Sequence, residues 1–453
     1  MHRIFALTIL GLAGLCGCVS DQRFSDHVIL ISVDGLRPEY YLAATSDSYP
    51  TPNIQRLRDE GIHARKAIGI FPATSYPNHA TMVTGVRPRR HGIDSLTSLS
   101  ARNGSPHRKW EASRFRSRPL WYRARQEGLT VGLSFWPSTV GAQRDAHWVV
   151  PERGSVPGEP SWIDLIESLS TPDALVTRPA MILPQLRNDP NHQAARDRLA
   201  TVVTQRMLNR WEPDLMLVHL TELGARQLQH GLQHEEVRSA LARVDFQVGQ
   251  IRETVARLGL SDKTTVIVVG SPCAIEVHTE LAPNVLFAQR EWIHKAKASE
   301  VGDSRAFAHA QGAQAAIYAS GERVRKIRKL LEANRHDNGI ERYDILEASE
   351  LKRLGVFPRA CMAIVCRPGF SLSGRTVGPF VSPLTDGGAC GGNPEDPGRA
   401  SGFLAVGPGI AAGGAFESIR LLDIGPTVAT ILGFQIGPEL DGRSCWDLLK
   451  TKP

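Results

Sequence analysis

The chain reads as an α/β protein built on a mainly parallel sheet with helices on both faces. Three observations predict this. Short apolar runs recur without polar alternation, the pattern of strands covered on both sides. The segments between them carry helix start and stop signals. The two kinds of segment alternate along the chain, as strand-helix repeats require.

The first strand is predicted over His27-Val28-Ile29-Leu30-Ile31-Ser32-Val33, after a linker at 19–26. Thr51-Pro52 opens a helix, with Thr51 as N-cap, Pro52 at the first helical position and Gly61 as the stop. A second helix is expected from Tyr76 or Pro77 to Thr84, and others at Leu120 to Glu127 and Leu199 to Trp211. Strands are expected at Leu129 to Phe135, Leu215 to Leu220 and Thr264 to Val269. Between the last two, Val237, Leu241, Val244, Val248 and Ile251 recur at helical spacing over Glu235 to Leu258. The region 283–345 is charged, with a basic helix at Glu322 to Ala333 and no strong strands, and reads as an inserted cap. The core is expected to resume with Met362-Ala363-Ile364-Val365 and Phe403-Leu404-Ala405-Val406, and to end with a helix around Asp423 to Leu432.

Charged residues make up 22% of the chain, the level of a soluble globular protein with a substantial core. The net charge of +7 favours anionic partners only weakly, and no basic block alternates with aromatics, so nucleic acid is not an expected partner. At the start, His2-Arg3 precedes an apolar stretch from Ile4 to Leu15 that is short for a bilayer span. This is a secretory signal pattern over 1–18. Leu15-Cys16-Gly17-Cys18 matches a bacterial lipobox, with Cys18 as the lipidated residue. The expectation is an exported, periplasmic lipoprotein held at a membrane by its acyl chains.

The chemistry gathers around two segments. Asp34 directly follows the first strand, where carboxylates of parallel sheets meet ligands; an aspartate that merely turns the chain before Gly35 fits as well. The second segment is Phe71-Pro72-Ala73-Thr74-Ser75-Tyr76-Pro77-Asn78-His79, closed by Thr84-Gly85 and His91-Gly92-Ile93. Ser75 there is a nucleophile candidate or an ordinary N-cap, with Thr74 one register away. Together these segments resemble the nucleophile region of the nucleotide pyrophosphatase/phosphodiesterase family, within the alkaline phosphatase superfamily. The resemblance implies an alkaline-phosphatase-like core over 27–282 and 346–453, with the cap at 283–345. It implies Ser75 as nucleophile where threonine is usual, Asp34 as a ligand to one of two zinc ions, and Tyr76 as the aromatic that stacks on a nucleobase.

The remaining ligand positions implied by the resemblance hold unsuitable residues. With Gly231 as register, an Asp-His pair falls on Gly224 and Leu228. The next Asp-His pair falls on Ser271 and Pro272, and the final histidine on Cys390. Asp94, Ser95 and Leu96 stand where a phosphoryl-binding asparagine is expected. A two-metal site needs several carboxylates and imidazoles. The reading is therefore a protein whose binuclear centre is mostly lost: an inactive or much weakened pseudoenzyme that binds a phosphoester, a nucleotide-like ligand or an envelope protein. No cofactor is expected unless the site is rebuilt, in which case zinc is the metal and the chain is an active hydrolase using Ser75. Donors near enough in sequence for rebuilding are His219, Glu222, His230 and His234, with His278, Asp386 and Cys390 as further candidates. The resemblance also brings the loops of Cys273 and Cys390 together, so a disulfide between them is expected or, otherwise, two buried thiols. Cys361 and Cys366 are a second candidate pair.

Overall fold

The computed structural model describes residues 22–42, 48–95, 97–99, 106–154, 159–177, 193–271, 274–293, 306–385, 387–396 and 398–450. Cys18 and the signal segment, Leu96, Pro272, Cys273 and Asp386 lie outside the described residues.

The centre is an eight-stranded sheet. In chain order its strands are β1 (His27–Asp34), β2 (Ile62–Ile68), β3 (Val131–Ser134), β4 (Trp148–Val150), β5 (Leu215–Leu220), β6 (Thr264–Ser271), β7 (Ser401–Val406) and β8 (Gly414–Arg420). Across the sheet they run β8-β2-β7-β6-β1-β5-β3-β4. Only β7 is antiparallel to its neighbours, β2 and β6. The predicted α/β class with a mainly parallel sheet is thus what the chain adopts.

The apolar runs that mark the strands are buried on both faces for a visible reason. Ile29, Ile31 and Val33 point to one core, with Met216 and Val218, against helices α1 (Pro52–Glu60), α3 (Gln193–Trp211) and α5 (Glu235–Arg257). Val28 and Leu30 point to the other, with Leu215 and Leu217, where α2 (Ser75–Thr84) packs through Met82 and Val83. The period-two alternation of strand side chains divides them between two hydrophobic layers. Thr51 does precede α1, but its hydroxyl donates to the Tyr40 carbonyl at 2.8 Å and caps nothing. The first-turn amides of Asn53 and Ile54 donate instead to the Asp245 carboxylate, at 3.2 and 2.8 Å.

The region read as lacking strands contains them. Ala306–Gln311, Gln314–Ala319, Met362–Cys366 and Tyr343–Glu347 form an antiparallel sheet in which Met362–Cys366 lies third, beside Gln314–Ala319. That strand therefore belongs to the second lobe and not to the central sheet, which resumes only at β7. The basic helix at Glu322–Ala333 covers this sheet with Ile327, Leu330 and Leu331. Alanines 306, 308, 313 and 315 fill the space beneath it. Alanine is depleted in strands generally, which hid these from a propensity reading. Cys361 and Cys366 are free thiols at opposite ends of the extended strand, roughly 16 Å apart at strand rise, too far to bridge.

Candidate active site

Parallel strands bring their carboxyl ends to one edge, and the site forms there. Asp34 ends β1 and is the register partner of Ser271 at the end of β6. His219, in β5, is the register partner of Ser32. Ser32 and Asp34 share a face, being two apart, so His219 projects to the side where Asp34 projects. That is also the face on which α2 packs, and α2 carries Ser75 and His79 one turn apart. Glu152 lies just past β4 at the same edge.

Ser75 is the first residue of α2. The N-cap, Thr74, makes no side-chain cap bond, so the positive end of the helix faces whatever lies before it. The Ser75 hydroxyl donates to Asp34 Oδ1 at 3.4 Å and lies 3.2 Å from His79 Nδ1. His79 Nδ1 is also 2.8 Å from the Ser75 carbonyl, an acceptor, so Nδ1 carries the hydrogen and cannot take the serine proton. The oxygen left to receive that proton is Asp34 Oδ1, which also accepts from Ser271 Oγ.

His219 lies between two carboxylates. Nδ1 is 3.0 Å from Glu152 Oε2, and Nε2 is 3.1 Å from Asp34 Oδ1 without the alignment of a hydrogen bond. Arg196 supports Glu152 from 3.4 Å. Burial lowers the His219 pKa, but the Asp34 and Glu152 carboxylates outweigh it and raise the value to about 9. The same pairing holds Asp34 well below the usual carboxylate range against the upward push of burial. Glu152 is likewise lowered: burial opposes this, and Arg196 and His219 prevail. His79 goes the other way, to about 4, because it is buried and faces a charged His219. Their rings stack edge-on at 4.2 Å between centroids.

Asp34, Ser75, Glu152, Arg196 and Ser271 line a cavity of about 540 Å³. Its walls include Tyr76, Trp110 and Trp162 on one side and Gln311, Gly312 and Cys390 from the second lobe on another. Tyr76 is only 4% exposed, packed with Ala80, Ile93 and Trp110, so most of its ring is committed to the core. Arg153 stacks over Trp110 at 4.4 Å and pairs with Glu159.

Of the positions read as lost ligands, Gly224 and Leu228 offer zinc no side-chain donor, and Cys390, which could, is not in the donor cluster found among the described residues. Gly224, on α4 (Glu222–His230), leaves no room for any side chain: a Cβ there would stand 2.7 Å from the Asp34 Cβ. Leu228 is half-exposed at the cavity wall. Ser271 is tied to Asp34, and Cys390 is a free thiol whose pKa burial raises. Cys273, its expected disulfide partner, lies outside the described residues. The Cys390 loop is strapped by its backbone, from Ala313 N to Cys390 O at 2.8 Å and Gly391 N to Ala73 O at 2.7 Å. Asp94 is buried in an ion pair with Lys109 and accepts from Phe357 N at 3.0 Å, a tie to the second lobe.

Of the rebuilding candidates, His219 alone joins the site. Glu222 pairs with Arg243 at 2.5 Å. His230 and His234 stack on each other, and His234 accepts from Glu236 N as the N-cap of α5. His278 contacts Thr279. The two-zinc centre that the resemblance implies does not fit these residues. A single cation does: among the described residues, Asp34, His79 and His219 bring one donor atom each within 4.8 Å of one another. Both imidazole Nε2 atoms are buried and make no hydrogen bond. The sequence reading missed His79, although its four-residue spacing from Ser75 is a signal that could have pointed to it; Glu152 and Arg196 carried no signal beyond Glu152's place after a strand.

A family model described as type I phosphodiesterase / nucleotide pyrophosphatase matches residues 28–374. Ectonucleotide pyrophosphatase/phosphodiesterase family member 3 of Bos taurus is 34% identical over 122 residues, which are 25% of this chain and 13% of that protein. The bis(5'-adenosyl)-triphosphatase enpp4 of Xenopus laevis is 28% identical over 146 residues, 30% of each chain. The chain thus spans under a third of the length of these curated relatives. Human ectonucleotide pyrophosphatase/phosphodiesterase 5 has the same fold, with a TM-score of 0.67 at 16% identity over 94% of this chain and 100% of that one. An inactive murine form of the same protein, solved with AMP, gives 0.66 over the same shares. The family match takes in the segments around Asp34 and Ser75 together with β5, β6 and most of the second lobe, so this chain belongs to the type I phosphodiesterase / nucleotide pyrophosphatase family.

Proposed function

We propose that the chain binds phosphoesters in this cavity and transfers their phosphoryl group to Ser75, as a weakened phosphodiesterase. One observation carries the reading: the Ser75 hydroxyl stands at the amino end of α2, within 3.4 Å of the Asp34 carboxylate. A serine hydroxyl is a weak nucleophile unless it is activated. In the proposed step Ser75 Oγ forms a bond to phosphorus as the bond to the leaving oxygen breaks, and the serine proton passes to Asp34. The amino end of α2 and the Arg196 guanidinium stabilise the phosphoryl oxygens. The intermediate keeps the second ester of the substrate, as a phosphodiester of Ser75, and water then releases a phosphomonoester and restores the serine hydroxyl. A zinc-class cation on Asp34, His79 and His219 would lower the pKa of the hydroxyl and screen the phosphoryl charge. The low pKa of Asp34 makes it a poor base, which supports a slow enzyme. The AMP complex of the murine neighbour and the aromatic cavity wall support a nucleotide-like ligand.

The test is turnover of an aryl phosphodiester, with the site of phosphorylation found by peptide mass. A phosphoester-linked adduct at Ser75 that retains the second ester of the probe, absent from Ser75→Ala, is the expected result. Turnover that survives Ser75→Ala overturns the reading. A second reading, ligand binding without cleavage, draws on the Gly224 contact, which excludes a second set of donors. It predicts that AMP or a protein partner binds wild type and Ser75→Ala alike and that neither turns over.

The lipobox supports export and membrane attachment through Cys18. Among the described residues, no helix is long and apolar enough to cross a membrane. Fatty-acid labelling in a bacterial host, lost in Cys18→Ser, tests the anchor; a periplasmic protein without label removes it.

A further inference from the structure

We infer that Asp34, His79 and His219 form a binding site for one divalent transition-metal cation of the zinc class. This inference deepens the phosphoryl-transfer reading and rests on it only for the role of Ser75. Of the three residues, only Asp34 lies at a ligand position implied by the resemblance in the sequence. His79 and His219 are new donors.

Four features of the structure point to a cation rather than to packing. First, one donor atom from each residue lies within 4.8 Å of the others. Second, both imidazoles are 0–1% exposed, and each leaves Nε2 without a hydrogen bond. A buried polar atom without a hydrogen bond is costly; His219 Nε2 has the Asp34 carboxylate 3.1 Å away as an ion-pair partner, and His79 Nε2 makes no hydrogen bond at all. Third, the other nitrogen of each ring is held. His79 Nδ1 meets the Ser75 carbonyl at 2.8 Å, and His219 Nδ1 meets Glu152 at 3.0 Å. Metal-binding histidines are oriented in this manner, by a carbonyl or carboxylate on the far nitrogen. Fourth, of the three residues Asp34 lines the cavity, beside Ser75, so a substrate oxygen there can complete the coordination from the Asp34 side.

Two imidazoles and one carboxylate suit zinc or its first-row neighbours, whereas magnesium and calcium prefer oxygen donors. The opposing account is a metal-free site in which the proton on His219 bridges Asp34 and Glu152. It leaves the His79 Nε2 atom unexplained.

The experiment uses the full chain after treatment with a chelator. Cobalt(II) is titrated in while its visible absorption is followed, then zinc is added in competition, and retained metal is counted. One equivalent of tight-binding metal is expected, with an absorption spectrum of nitrogen and oxygen ligation. His79→Gln and His219→Gln should each weaken binding by about a hundredfold or more, and Glu152→Gln by about ten- to a hundredfold. Circular dichroism checks that each variant is folded; should His219→Gln unfold, Glu152→Gln and His79→Gln carry the test. Retention of no metal, or of two equivalents, overturns the inference, as does wild-type affinity in folded histidine variants. The outcomes separate from those of the functional reading. Metal bound with Ser75 never phosphorylated sinks the reaction and keeps the site. The Ser75 phosphoester adduct formed at full rate in chelator, with no metal bound, does the reverse.

Discussion

Gly224 sits directly on Asp34: a Cβ built on the glycine would lie 2.7 Å from the aspartate Cβ and 3.1 Å from its carbonyl carbon. The position that the family resemblance assigns to a metal-binding aspartate is thus closed by the packing of α4 against β1. The departure is larger than a changed side chain, because the backbone occupies the space that a ligand needs.

Restoring that ligand should fail. Gly224→Asp is expected to lower stability by about 1–3 kcal/mol through overpacking, without raising the bound metal. Thermal melting and metal counting check both parts. A variant of wild-type stability that holds a second cation would contradict the contact.

Asp197 fixes the start of α4. It is fully buried and accepts the Thr221 amide at 2.7 Å and the Glu222 amide at 2.7 Å. Asp197→Ala leaves both donors unmet and is expected to cost about 2–4 kcal/mol. Because α4 presses on Asp34, any remaining turnover should fall too. Denaturant melts beside rate measurements on folded protein would reveal it; an unchanged midpoint argues against the cap.

Tyr76 should prove a packing residue more than a stacking platform. At 4% exposure, its truncation in Tyr76→Ala is expected to cost about 3–5 kcal/mol. If the midpoint of unfolding stays put while only affinity for a nucleotide-like ligand drops, the stacking role implied by the resemblance is the right one.

His91 makes the chain sensitive to acid. It is buried, accepts from Ile93 N at Nδ1 and contacts Thr81 Oγ1 through Nε2, so both nitrogens are committed in the neutral form. Burial, with a smaller push from Lys109, lowers its pKa from 6.5 to about 3. Between these values the unfolded chain binds the proton and the folded chain does not. Stability is therefore full above 6.5 and falls as the pH drops toward about 3, by at most about 1.4 kcal/mol per unit from this group. Urea melts across that range should be flatter for His91→Gln than for wild type; equal slopes would remove His91 from the account.

Much of this molecule was legible in order along the chain. The β1 run and Asp34, a helix start near Ser75 (expected at Tyr76 or Pro77, one or two residues after the observed start at Ser75), and the periodicity of α5 are local patterns, and local patterns report a strand, a cap or a helix face before anything is assembled. The Ala-rich strands of the second lobe were not legible, because their strand character comes from what packs over them. The site divides along the same line. Asp34 and Ser75 are marked by their neighbours in sequence, and so is the absence of donors at Gly224 and Leu228. That His79, His219 and Glu152 converge on Asp34 was settled by strand order and by the face on which α2 lies. Sequence determines which groups exist and their local spacing, whereas their distances across the sheet depend on pairing between segments more than a hundred residues apart.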